Sequence, residues 1–90
     1  MDRNTILEKL KDIFKIVVNN GVLLDNVSED TDIVFDLGVN SIGLLYMAIA
    51  IEKEFDIDMS DIAPSTLKKV GDVISYIENA LNKWKLANGN

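Results

Sequence analysis

The sequence has 90 residues, the size of one small domain, and we expect residues 1–90 to form a single domain with its core between about 4 and 84. Its net charge is −6, and residues 25–61 alone hold ten acids against one base, which argues against nucleic acid or an anionic membrane as a partner. The sequence contains no cysteine and no histidine, which excludes disulfides, thiolate ligands and the commonest general base, so any chemistry should come from a cofactor or a partner enzyme.

The sequence shows neither a secretion signal nor a membrane-spanning segment. Residues 1–4 lack the apolar stretch of a secretion signal, and no run approaches the roughly 20 residues that span a bilayer. We expect a cytoplasmic monomer without membrane insertion and without a metal site.

A first helix is predicted from Thr5 to about Asn19. Thr5 and Glu8 have the spacing of a capping box, which would make Thr5 the N-cap. Asn19-Asn20-Gly21 should end the helix, because Asn and Gly tolerate the left-handed conformation. Apolar residues recur at helical spacing and form one broad stripe: Ile6, Leu7, Leu10, Ile13, Phe14, Val17 and Val18.

Residues 22–40 form a long connection to a second helix, which is predicted from Ser41 to about Glu54. Apolar residues without a clear period occur along the connection, so we expect it to pack across the helices rather than act as a flexible linker. The second helix carries no charge from Ile42 to Ile51 and has apolar residues on two neighbouring faces. This pattern permits either a fully buried helix or one that exposes a face to a partner.

Two further elements follow the second helix. A short third helix is predicted over residues 60–67, where Pro64 limits its length. The last helix is predicted from Val70 to about Trp84, and residues 85–90 are expected to fray. Because no strand pattern occurs, the sequence predicts an all-α fold, a four-helix bundle of three long helices and one short third helix.

Ser41 is the candidate functional residue, because it starts the second helix after a loop that Gly38 can turn sharply. Leu37 can anchor that loop to the core. Free amides and the helix dipole favour negative charge at a helix N-terminus, so a phosphate ester on the Ser41 hydroxyl would lie in a favourable field. A serine at this place is also a common N-cap, and the residues alone leave both roles open.

The residues around Ser41 resemble the signature of a known family. Asp36-Leu37-Gly38-Val39-Asn40-Ser41-Ile42 is similar to the Asp-x-Gly-x-Asp-Ser-Leu motif of the acyl carrier proteins. Glu52–Ile57 resembles the segment that closes the second helix of that family, and Val70–Ile77 resembles its last helix. The resemblance covers residues 4 to 84, approximately the whole predicted domain.

The resemblance implies a carrier rather than an enzyme. A phosphopantetheinyl transferase would move 4'-phosphopantetheine from coenzyme A to Ser41, and the thiol of this arm would hold acyl groups as thioesters. Its partners would be acyl-transferring, ligase or synthase enzymes of fatty acid, lipid or polyketide-type biosynthesis. Asp36, Gly38 and Asn40 would shape the attachment site. Residues that could line a pocket for the acyl chain, or simply form the core, are Leu44, Met47, Ile51 and Ile74.

Two departures from the family pattern indicate a specialised carrier with dedicated partners. Asn40 stands where the family has Asp, which removes a negative charge beside the attachment site and weakens attraction to a basic transferase. The second helix, which is acidic in carriers of fatty acid synthesis, is largely apolar here, so we expect docking by burial of apolar area. The expected docking residues are Ile42, Leu45, Tyr46, Ile49 and Glu52.

Other functions remain open at this point. An aminoacyl or peptidyl carrier would share the fold and motif, although the Gly-Gly pattern before the serine of many peptidyl carriers is absent. A helical interaction module without a cofactor is an alternative of another class. Aspartates cluster in residues 30–36 and 56–61, but both clusters lack the Gly and the closing Glu of the twelve-residue calcium loop.

Overall fold

The structure, a computed structural model, describes residues 1–18 and 24–87, apart from the side chains of Pro64 and of residues 84–87. Its helices are α1 (Arg3–Val17), α2 (Ser41–Phe55) and α3 (Val70–Ala87), with a 3₁₀ turn, Pro64–Thr66, between the last two. Within the described residues there is no strand, only an isolated bridge between Asp32 and Lys69. The all-α class is therefore confirmed.

The predicted four-helix bundle is wrong, because the described chain has three α-helices. The predicted third helix over residues 60–67 is only the three-residue turn Pro64–Thr66. Pro64 has no backbone N–H and disfavours a helical conformation in the residue before it, so a helix cannot extend back through it. After the turn the chain pairs with the long connection instead of continuing as a helix, because the Lys68 carbonyl accepts a hydrogen bond from the Ile33 amide at 2.9 Å.

Helix α1 begins two residues earlier than predicted. Its N-cap is Asp2, whose Oδ1 accepts a hydrogen bond from the Thr5 amide at 2.7 Å, so the capping box on Thr5 and Glu8 is wrong. The helix ends at Val17, and the Val18 amide donates to the Phe14 carbonyl. The predicted stop signal at residues 19–21 lies outside the described residues.

Helix α2 matches its predicted limits to within one residue. Asp56 follows it in the left-handed conformation, with a φ of 55°, and its amide donates to the Glu52 carbonyl. The Glu52 side chain then accepts a hydrogen bond from the Met59 amide at 2.8 Å, which holds the chain as it leaves the helix.

The long connection between α1 and α2 forms hydrogen bonds with the first residues of α3. The amides of Val70 and Gly71 donate to the carbonyls of Thr31 and Glu29, at 3.0 and 2.9 Å, so the connection satisfies two groups that a helix start leaves free. The Asp72 side chain also bonds back to the residue before the helix, as in a capping box. Its Oδ2 accepts a hydrogen bond from the Lys69 amide at 3.1 Å. The helix continues to Ala87, beyond its predicted end at Trp84, whose side chain is not described.

The core lies between the three helices, and the connection contributes to it. Val27, Ile33, Leu37 and Val39 are all buried, so the connection packs across the helices as predicted. No polar or charged side chain is buried in the described part of the chain. The fully buried side chains of the helices include Ile6, Leu10, Phe14, Met47, Ile51, Val70, Val73, Ile74 and Ile77. None of the three described helices combines the length and the apolar character needed to cross a membrane.

Candidate functional site

Ser41 is the first residue of α2, and its side chain is exposed. The N-cap of the helix is Asn40, whose Oδ1 accepts a hydrogen bond from the Gly43 amide at 2.8 Å. The Asn40 carbonyl also accepts the first helical hydrogen bond, from Leu44, at 2.9 Å. Because Asn40 performs the capping, the Ser41 hydroxyl is not needed for it and faces solvent at the helix N-terminus.

The turn before Ser41 is built by two aspartates and a glycine. Asp32 Oδ1 accepts from the amides of Val34 and Phe35, at 3.0 and 2.8 Å, and Asp36 Oδ2 accepts from the Asp32 amide at 2.7 Å. Gly38 has a φ of 70°, in the left-handed region where a side chain would be strained. The Asp36 carboxylate is therefore engaged in shaping this turn.

Gly43 lets the turn pack closely against α2. A Cβ on Gly43 would lie 2.8 Å from Cγ1 of Val39, which is closer than carbon atoms approach without displacement. Val39 is itself buried, so it has little space to move. The glycine therefore leaves the space that Val39, two residues before Ser41, occupies.

The surroundings of Ser41 fit a phosphodiester. Its side chain is exposed among the described residues, so these leave space for an attached group. The first turn of α2 contains no acidic residue, and the preceding Asn40 is neutral. The partial positive charge of the helix N-terminus is thus not offset by a carboxylate within that turn.

The face of α2 that was expected to dock partners is largely open. Ile42, Leu45, Tyr46 and Ile49 keep between 41% and 64% of their surface accessible. These fractions are high for large apolar side chains, which prefer the interior. Glu52 is half-buried and engaged with Met59, so it is less available than the apolar residues.

The residues suggested for an acyl pocket lie in the packed core. Leu44 is 7% exposed, and Met47, Ile51 and Ile74 are fully buried. The sequence alone leaves open whether these residues line a pocket or form the core. In the structure these four side chains are part of the packed core.

A groove between α1 and α2 was not predicted from the sequence. It has a volume of about 490 Å³ and begins beside Ser41. Its lining residues are Ile16, Val17, Asn40, Ile42, Gly43, Tyr46, Ile49, Ala50 and Lys53. The available signal in the sequence was that Ile16 lies outside the apolar stripe of the first helix and that the second helix has a second apolar face. The register between the two helices cannot be read from the sequence.

The aspartates of the second acidic cluster are bound within the fold. Asp58 accepts from the Ser60 amide at 2.8 Å, which holds the pKa of Asp58 below its ordinary value. The Tyr76 hydroxyl donates to Asp61 and to the Asp58 carbonyl. Burial, with the bond to Asp61, raises the pKa of Tyr76 to about 12. In the described residues these groups form no cluster with the arrangement of a metal site.

Comparison with known proteins connects this geometry to a family. Residues 4–77 match the family described as "Phosphopantetheine attachment site". The chain is 38% identical to the acyl carrier protein of Akkermansia muciniphila over 78 residues, which cover 87% of this chain and 95% of the relative. It is 40% identical to the acyl carrier protein of Bdellovibrio bacteriovorus over 70 residues, which cover 78% of this chain and 87% of the relative.

The match is broad and consistent. A third acyl carrier protein, from Sulfurovum sp., is 38% identical over 69 residues, which cover 76% of this chain and 92% of the relative. The family match alone extends over most of the 90 residues, from α1 into α3. The cofactor of this family is 4'-phosphopantetheine, and its members carry acyl groups for other enzymes. The chain belongs to the acyl carrier protein family, whose members have a phosphopantetheine attachment site.

Proposed function

We propose that the protein carries acyl groups on 4'-phosphopantetheine attached to the Ser41 hydroxyl. The main support is the start of α2, where the Asn40 side chain caps the helix. The exposed Ser41 hydroxyl is therefore not needed as a cap and is available for attachment. When bound, the group supplies a terminal thiol that holds the acyl cargo as a thioester. The chain itself supplies the attachment point and the surface that partner enzymes recognise.

In the attachment step the chain needs to supply only the Ser41 hydroxyl in an accessible position. Ser41 Oγ forms a new P–O bond, the diphosphate of coenzyme A is cleaved, and adenosine 3′,5′-bisphosphate leaves. The serine proton would pass to a base of the phosphopantetheinyl transferase, because this chain has no histidine and the first turn of α2 contains no acidic residue. Gly38, Asp36 and Asn40 position the hydroxyl through the turn and the cap.

Intact-mass measurement tests the attachment. The protein is incubated with coenzyme A and a broad-specificity phosphopantetheinyl transferase, and we expect a gain of one phosphopantetheinyl group. Ser41→Ala should show no gain, whereas Ser60→Ala, which changes another exposed serine, should be modified like the original protein. Modification of Ser41→Ala, or failure of the original protein with every transferase tried, would refute the proposal.

We also propose that partner enzymes dock on the apolar face of α2, and that the protein is a specialised carrier rather than part of the general fatty acid cycle. Support comes from the exposed Ile42, Leu45, Tyr46 and Ile49 beside the attachment site. Their burial contributes roughly 25 cal/mol per Å² of apolar area removed from water. Such an interface depends less on salt than one made of ion pairs.

Tyr46 is the expected anchor of this docking face. Tyr46→Glu should lower kcat/KM for the transferase by about tenfold, because a charge would have to be desolvated at the contact. Tyr46→Phe keeps the ring and should retain the original value. The measurement is the initial rate of modification at several ionic strengths. Equal rates for all three proteins would count against apolar docking.

A further inference from the structure

The apolar face of α2 is extended by a residue of α1. Ile42, Leu45, Tyr46 and Ile49 follow the i, i+3, i+4, i+7 spacing of one side of a helix, and Ile16 of α1 borders the same groove. The exposed fractions of these five side chains together equal about three whole large side chains, an area on the order of 600 Å². A patch of this size is at the upper limit for a monomeric protein.

This face is self-complementary about a two-fold axis. Two α2 helices can pack antiparallel with the axis between Leu45 and Tyr46, so that Leu45 of each copy meets Tyr46 of the other. Ile42 then lies opposite Ile49 of the other copy, because these two residues are equally far from the axis. The antiparallel arrangement also opposes the dipoles of the two helices, which is favourable.

The charge distribution favours α2 as the place where two copies meet. Residues beside a two-fold axis lie near their own equivalents, so a charged residue there meets a like charge. The protein has a net charge of −6, but residues 37–51 form the longest uncharged run of its sequence. Charged residues return at Glu52, three residues beyond Ile49 and therefore at the edge of the face. Two copies can thus join at α2 without like charges at the centre.

The area of the face reaches the lower limit of what a stable dimer needs. Two patches of this size remove about 1,200 Å² from water, and specific interfaces begin at about that area. The net negative charge of each copy opposes the association. We therefore expect a weak and reversible dimer, with a Kd of roughly 1–100 μM.

We propose that two copies of the protein form a reversible antiparallel dimer through the apolar face of α2. The monomer expected from the sequence is then the form present at low concentration. Because the dimer covers the face beside Ser41, a partner enzyme has to displace one copy before it binds. This consequence rests on the docking proposed above, whereas the dimer itself does not.

Sedimentation velocity of the unmodified protein measures the association, so its outcome is independent of any attachment at Ser41. We expect the sedimentation coefficient to rise from a monomer to a dimer value between about 1 and 500 μM. Ile49→Glu should weaken the dimer at least tenfold, because it places a charge in the apolar contact. Asn82→Glu adds the same charge to an exposed position of α3 and should associate like the original protein. A monomer at every concentration, or equal association of the two variants, would overturn the proposal.

A pair of charge substitutions tests the antiparallel register. Ile42→Glu and Ile49→Lys should each be monomeric where the original protein is a dimer. Mixed in equal amounts they should associate again, because the new carboxylate of one chain lies opposite the new ammonium group of the other. A mixture of Ile42→Glu with Ile42→Lys is the control and should stay monomeric, because its two charges lie at opposite ends of the contact. Circular dichroism checks that each variant is folded. Two mixtures that behave alike would overturn the proposed arrangement.

Discussion

Asn40 and Ser41 have different roles at the start of α2, since Asn40 is the N-cap and Ser41 is the first helical residue, with an exposed side chain. Asn40 binds the Gly43 amide, and Ser41 presents its hydroxyl one residue further on. The neutral amide also removes the repulsion that an aspartate would exert on a phosphodiester. Asn40 therefore supplies the oxygen that caps the helix without the charge that the aspartate of the family motif would carry.

The capping role of Asn40 predicts how its substitutions behave. Asn40→Ala should lower the free energy of unfolding by about 1 kcal/mol, because the Gly43 amide loses its acceptor. Asn40→Asp retains an acceptor and should differ from the original by less than about 0.5 kcal/mol. Urea unfolding measures both values. An alanine variant as stable as the original protein would show that the cap contributes nothing.

Gly43 predicts an exception to helix propensity. Alanine is ordinarily favoured over glycine within a helix by about 1 kcal/mol. Here the new Cβ would collide with the stiff, buried Val39, so Gly43→Ala should instead destabilise the protein by about 1–3 kcal/mol. The double variant with Val39→Ala should recover part of this loss in urea unfolding. Additive losses would mean that Val39 is not the cause.

At the scale of the elements, Arg3 joins three parts of the fold. It lies on α1 and forms ion pairs with Glu29 of the connection and with Glu78 of α3. Its guanidinium also donates to the Ser75 hydroxyl at 3.2 Å and to the Gly71 carbonyl at 3.4 Å. The fork of a guanidinium suits such a multiple contact, which an ammonium group could not reproduce.

Arg3 should therefore contribute more to stability than an ordinary surface ion pair. Arg3→Ala should lower the melting temperature and speed amide exchange at Val70 and Gly71, which the connection holds. Lys9 offers the control, because it forms a single pair with Glu54 between α1 and α2 at 3.0 Å. Lys9→Ala should change the melting temperature little. If the two variants behave alike, Arg3 does not act as a junction.

At the scale of the whole molecule, the charges determine how stability depends on pH. Hydrogen bonds from Thr5, Arg3 and Ser60 lower the pKa values of Asp2, Glu29 and Asp58 respectively. A carboxyl whose pKa is lower in the folded state stabilises the fold above its unfolded pKa, near 4. This stabilisation is lost as the pH falls through the folded pKa.

The melting temperature should therefore decline on acidification below about pH 4. Asp2→Asn should weaken this decline, because asparagine is an equally good N-cap but does not titrate. Thermal unfolding at a series of pH values, followed by circular dichroism, measures the effect. An Asp2→Asn profile parallel to that of the original would exclude a contribution from Asp2.

Helix limits were predicted correctly where a single sequence pattern indicated them. The uncharged run after Ser41 and the helical spacing after Val70 fixed α2 and the start of α3. The start of α1 was missed because Asp2 and Thr5 are both good caps, and only the fold selects Asp2. Pro64 was recognised as a restriction, but the sequence did not reveal that it leaves a single turn.

The candidate site was only partly predictable. The motif indicated Ser41 as the candidate residue and predicted a sharp turn at Gly38, where the structure has a positive φ, because a turn of this kind depends on local chemistry. The groove depends on how Ile16 of α1 meets Ala50 of α2, and the Gly43 contact depends on a turn that folds back onto the helix. Both are tertiary relations between separate segments, which no local pattern encodes.

Mapping of the modified residue by mass spectrometry would show directly whether Ser41 bears the prosthetic group. Trypsin cleaves after Lys15 and Lys53, and the resulting peptide, residues 16–53, contains two serines, Ser28 and Ser41. Tandem mass spectrometry of this peptide, after treatment with coenzyme A and transferase, should place the phosphopantetheinyl group on Ser41. Fragment ions that place it on Ser28, or a modification found only in another peptide, would contradict attachment at Ser41.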